Sequence, residues 1–196
     1  MDKKSDIKYK GKMFEVVTFS PKEGVVFETA VRAPGVRLLI EELQDGVEGI
    51  LMTRELRHGR DGSTWDYRLP GGKVFDSLEE FNNAKENNLD IALCASNQAK
   101  VEARQEVGVI DGDFTQIAVA KAGGSVEWDL YYFLVQNAEI SEQELEEHEK
   151  GEIEVVFLSV QEIFNKLKNK EINEGRSADV IWRWLAEKNF IVLKTL

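Results

Sequence analysis

The sequence predicts an α/β fold, and three observations carry that expectation. Short runs rich in β-branched and aromatic residues recur between Met13 and Leu69 and again between Phe114 and Leu158, bounded by Gly, Pro or polar turn residues. The stretch Leu89 to Val107 instead spaces its apolar side chains along one helical face. Two further helical patterns close the chain after the run Ile153 to Leu158.

Taken in order, Met13–Thr18 and Val25–Val31 form a hairpin, because Pro21-Lys22-Glu23-Gly24 between them is a turn signal. Val36–Ile40 and Gly49–Thr53 are the next strands, separated by a turn near Asp45-Gly46. His58–Thr64 is a polar loop, and Trp65–Leu69 alternates into Pro70-Gly71-Gly72. A helix begins at Asp76 or Ser77, with Glu79 and Glu80 in its first turn, and a polar bridge (82–88) leads to the long helix Leu89–Val107. Phe114–Ala120 and Trp128–Val135 are strands, and Ser141–Glu149 is an acidic segment open to a short helix. Ser159 and Glu162 make a capping-box pattern for a helix Val160–Lys168. The last helix, Ser177–Lys188, puts Val180, Ile181, Trp184 and Leu185 at core spacing.

At 196 residues the chain has room for one large domain with a small appendage. A net charge of −11 argues against a nucleic-acid surface, which needs clustered Lys and Arg. It is compatible with small polyphosphates, because a bound dication reverses the local sign. Cys94 is the single cysteine, so no disulfide closes within the chain. The first residues are too polar for a signal peptide, and no apolar run is long enough to span a bilayer. A cytoplasmic protein without nucleic-acid or membrane partners is expected.

The chemistry concentrates between Leu69 and Val109. Glu102, Gln105 and Glu106 share one helical face, opposite a glycine turn with free backbone carbonyls. Carboxylates and carbonyl oxygens are the ligands that Mg²⁺ prefers, with water and substrate phosphate completing its shell.

This stretch resembles the Nudix box, G-x5-E-x7-R-E-U-x-E-E-x-G-U, where U is aliphatic. Gly72 matches its first glycine, Glu102 the glutamate after the arginine, Glu106 the last glutamate, and Gly108-Val109 the close. Val101 replaces the arginine, Gln105 replaces the first glutamate of the E-E pair, and the spacing is longer by roughly fifteen residues. Flanking segments resemble the ADP-ribose pyrophosphatase branch: Arg32-Ala33-Pro34-Gly35-Val36 resembles "R-A-P-G-V", Glu55-Leu56-Arg57 resembles "Q-Y-R", and Trp65–Gly72 resembles "W-E-L-P-A-G".

The resemblance implies a Nudix-fold α/β/α sandwich with a mixed sheet (36–196) and an N-terminal β extension (1–35) that supports a homodimer. It implies hydrolysis of a nucleoside diphosphate linked to another moiety, such as ADP-ribose or a nucleotide sugar, with Mg²⁺ or Mn²⁺. By the same resemblance, Gly71 (through its carbonyl), Glu102, Gln105 and Glu106 hold metal, and Glu106 is also catalytic. Arg57 and Gly72 meet substrate. The general base is Glu149 or Glu152, with Glu147 more distant, and the glutamate of G-x5-E is Glu79 or Glu80. Gln105 adds no charge toward a dication, and Arg104 lies about 60° from the face of Val101. A protein that binds a nucleotide-like ligand without hydrolysing it is the alternative. Trp65, Tyr67 and Trp128 are open to base stacking or to packing. His58 and His148 are assigned no chemistry.

Overall fold

A 13-residue strand, β5 (Val47–Gly59), holds the main sheet together by serving three partners. These and all later observations come from a computed structural model that describes residues 6–190. The outer ends of the two expected domains (1–5 and 191–196) lie outside the described residues. One edge of β5 pairs with β4 (Gly35–Gln44) and, further along, with β6 (Gly62–Arg68); the other edge pairs with β10 (Ile153–Ser159). β4 also pairs in parallel with β9 (Leu130–Ile140), and β9 pairs antiparallel with β7 (Val109–Ala120). The sheet is therefore mixed.

A second sheet precedes it. β1 (Asp6–Lys10), β2 (Phe14–Lys22) and β3 (Val25–Arg32) are antiparallel neighbours, and the two-residue β8 (Val126–Glu127) joins β3 in parallel. The N-terminal sheet thus takes its fourth strand from the second half of the chain.

Helices cover both faces of the main sheet. α1 (Leu78–Glu86) and α2 (Ile91–Glu102) follow one another, and Ala95 and Ala99 of α2 pack on Val36, Leu38, Leu51 and Phe133. The small alanines let the helix axis approach the sheet closely. On the opposite face, α3 (Val160–Lys168) and α4 (Gly175–Glu187) bury Ile163, Val180, Ile181, Trp184 and Leu185 against Leu39, Ile50, Met52 and Tyr132. Trp184 Nε1 also donates to Glu41 at 2.7 Å, tying α4 to β4. The result is an α/β/α sandwich with an N-terminal β extension.

Four local expectations are corrected. The polar stretch 58–64 is a tight hairpin rather than a loop, with Gly59 paired to Gly62 around Arg60-Asp61. The polar bridge is mostly helix: α1 starts on its Ser77 cap and runs to Glu86. The long helix is not uniform; it is α-helical to Glu102 and widens to π geometry over Ala103–Val107. The Gln105 carbonyl, in the last turn where no intrahelical partner remains, accepts from Glu144 N (3.0 Å) in the neighbouring segment. That segment, 141–149, forms no helix; it is irregular and then turns. The capping box at Ser159 and Glu162 forms as its spacing predicts.

Asp90 caps α2, its carboxylate accepting from Ala92 N (3.0 Å) and Leu93 N (3.2 Å). Replacing Asp90 with Ala should lower the stability measured by urea unfolding by about 1 kcal/mol.

Candidate active site

The turn Pro70-Gly71-Gly72 is laid along the start of β4 like a short extra strand. Val36 N donates to the Gly72 carbonyl (3.0 Å), Leu38 N donates to the Pro70 carbonyl (2.9 Å), and Val74 N donates to the Pro34 carbonyl (3.0 Å). This close approach leaves no space for a side chain. Gly71 has φ +138°, and a Cβ there would stand 2.3 Å from the Val36 carbonyl oxygen. A Cβ on Gly72 would stand 2.2 Å from Glu102 Oε1.

Both glutamates of the α2 region meet this turn. Glu106 Oε2 accepts from Gly71 N at 2.6 Å, and the Glu102 carboxylate lies against Gly72 while accepting from Gln98 Nε2 (2.9 Å). They border a cleft of about 460 Å³ whose walls also include Gly71, Gly72, Gln105 and Arg57. Of the two residues weighed as general base, Glu149 lines this cleft and Glu152 does not; His58 Nε2 stands 3.1 Å from the Glu152 carboxylate. Glu147 is not among the lining residues either. Glu80 borders the cleft while Glu79 does not, and Glu80 Oε2 accepts from Asp76 N (3.0 Å).

The aromatic residues sit elsewhere. Arg54 covers the Trp65 ring, Lys166 covers Tyr67, and Trp128 is held between the guanidinium groups of Arg32 and Arg176 at 4.3 and 4.2 Å. Arg104 points away from the cleft and binds Glu144 through Nε (2.9 Å) and Nη2 (2.7 Å). It therefore supplies no charge to the cleft beside Val101.

Two cleft residues, Glu55 and Arg37, and Arg68 behind them escaped sequence reasoning. Glu55 is buried and accepts from Thr53 Oγ1 (2.7 Å) and Arg57 Nη1 (3.2 Å). Arg68 lies behind it, its Nε 3.7 Å from Glu55. Arg37 donates through Nη1 to the Gly71 carbonyl and to the Val36 carbonyl (3.1 Å). The available signal was a charged residue interrupting the apolar strand Val36–Ile40.

Burial sets the electrostatics. Desolvation, reinforced by the nearby Glu55 charge, pushes the Glu106 carboxyl up to about 8, against the pull of its bond from Gly71. Burial also raises Glu102, opposed by its bond from Gln98. Crowded, desolvated carboxylates in an all-oxygen donor set are the chemistry that a hard dication relieves. Among the described residues, no group of three or more His, Cys, Asp or Glu side chains converges at metal-binding geometry.

No family model matches the sequence, and no curated protein matches it. A solved structure described as that of an ADP compounds hydrolase aligns with a TM-score of 0.60 at 16% identity, over 96% of this chain and 95% of that chain. The fold is Nudix-like. At that identity the likeness is one of fold, and the roles of individual residues rest on the geometry above.

The raised Glu106 carboxyl has a consequence for stability. Between the usual carboxylate value and about 8, the folded chain holds a proton that the unfolded chain has released, so stability falls as pH rises across that window. Metal-free protein should unfold at lower urea concentration at pH 8 than at pH 5. Glu106→Gln should flatten that dependence.

Proposed function

We propose that this chain hydrolyses a nucleoside diphosphate linked to another moiety, an ADP-ribose or nucleotide-sugar type of pyrophosphate. The observation that carries this reading is the meeting of Glu102 and Glu106 with the Gly71–Gly72 turn at one cleft. The shared fold with a structure described as an ADP compounds hydrolase supports the substrate class.

The donor atoms fit Mg²⁺ or Mn²⁺, which Glu102 and Glu106 would hold, with the Gln105 amide oxygen and the Gly71 carbonyl as neutral donors. Bound there, the cation supplies neutralisation of phosphate charge and a more acidic water. Gly71 orients Glu106 through its N–H, and Gln98 orients Glu102. Arg57, already bonded to Glu55, offers its remaining donors to phosphate oxygens. Glu149, which also lines the cleft, receives the proton of the attacking water as the water oxygen bonds to phosphorus and the P–O bond to the leaving phosphate breaks.

A homodimer belongs to this reading. The N-terminal sheet exposes Ile7, Tyr9, Phe14, Val26 and Phe27, an apolar set suited to a second copy. Among the described residues no helix is long and apolar enough to cross a membrane.

The second reading, binding without turnover, is favoured by two observations: Gln105 contributes no charge, and the Gly71 carbonyl is engaged by Arg37. Assaying the purified protein against ADP-ribose and nucleotide sugars with Mg²⁺ or Mn²⁺ separates the two. Hydrolysis that falls at least 100-fold in Glu106→Gln is expected for the enzyme; tight binding without product identifies the binder. Gln105→Glu should raise turnover and lower the metal concentration needed for half-maximal rate. An unchanged metal requirement would remove Gln105 from the metal site.

A further inference from the structure

We propose that Arg37 is a resident cation of the cleft, holding the Gly71 carbonyl so that a divalent ion must displace its guanidinium before using that oxygen. This inference rests on the proposed metal role of Glu102 and Glu106.

The backbone dictates the placement. Val36 and Leu38 both donate to the 70–72 turn, so Arg37 leaves β4 directly beside Gly71. Because Gly71 has no side chain, its backbone approaches Arg37 closely: a Cβ there would stand 3.1 Å from Arg37 Cα. Nη1 then donates to the Gly71 carbonyl and, at 3.1 Å, to the Val36 carbonyl. Among the described residues no carboxylate lies within ion-pair distance of Arg37, and its Nε is buried without a partner. Its charge is nevertheless felt by both Glu102 and Glu106.

A guanidinium with no carboxylate of its own, bonded to a carbonyl beside the buried Glu106 and the half-buried Glu102, occupies the electrostatic position of a metal ion. The neighbouring residues agree with this. Val101 and Gln105 carry no charge, and Arg104 is committed to Glu144 outside the cleft. Arg37 brings positive charge from the sheet rather than the helix. It is a positioning residue: it holds the turn from the carbonyl side while Glu106 holds it from the N–H side.

The test titrates Mn²⁺ alone into the full chain and reads the free ion by electron paramagnetic resonance. Arg37→Met removes the charge and keeps most of the side-chain length; Arg37→Lys keeps the charge. Removing a like charge next to the ion should tighten Mn²⁺ binding by about tenfold or add a second bound ion in Arg37→Met, with Arg37→Lys close to the unaltered protein. Arg37→Gln is the substitute if Arg37→Met fails to show a cooperative thermal transition. Equal or weaker Mn²⁺ binding in the folded neutral variant overturns the role of Arg37. If the unaltered protein also turns over ADP-ribose, that result leaves the hydrolase reading standing. Tightened Mn²⁺ binding with no turnover by any variant supports the role of Arg37 and removes the hydrolase reading. No Mn²⁺ binding by any form overturns both.

Discussion

The site depends on one backbone arrangement, the pairing of residues 70–74 with the start of β4. Three main-chain hydrogen bonds clamp the turn, and two glycines make the approach possible because neither position has room for a Cβ. Once the turn lies there, the Gly71 N–H faces the helix and finds Glu106. Sheet, turn and helix are locked in sequence, and the positions of both carboxylates follow from that order. The contact between α2 and the sheet, built on alanines, keeps the helix close enough for short side chains to reach.

Clustering Glu55, Glu102 and Glu106 where water is scarce is unfavourable unless positive charge or protons intervene. The chain answers from several directions. Arg57 and Arg68 attend to Glu55, amide groups satisfy Glu102 and Glu106, and Arg37 contributes charge from β4. Positive charge thus comes from β4, β5 and β6 and, through Lys73, from the segment after the turn; none comes from the helix that carries the acids.

Much of the fold was legible in residue pattern alone. Val25–Val31 and Ile153–Leu158 alternate or run apolar as strands do, and Ser159 with Glu162 announced its helix through capping chemistry. The 58–64 stretch misled because its polar residues are those of a solvent-facing hairpin, where neither face demands burial. The π turn at 103–107 was hidden because apolar spacing along Leu89–Val107 reads as one uninterrupted helix and does not register a local widening at its end. Within the site, spacing on one helix placed Glu102 and Glu106 on a common face. The choice between Glu149 and Glu152, and the presence of Arg37 and Glu55, depend on how separate elements meet in space, which local pattern does not encode.

The two-residue strand β8 changes how the N-terminal sheet should be regarded. Its residues lie a few positions before β9, which runs beside β4 in the middle of the main sheet, yet they bond to β3. Beyond chain continuity into β4, the first three strands are therefore stitched to the body by this short parallel splice and by the Leu78 N–H, which donates to the Lys12 carbonyl at 2.9 Å. Cutting the chain near residue 35 would not leave the main sheet and its connections undisturbed. It would strip the splice of its neighbour and leave the 121–129 connection, with Trp128 losing the Arg32 half of its sandwich, to find another resting place.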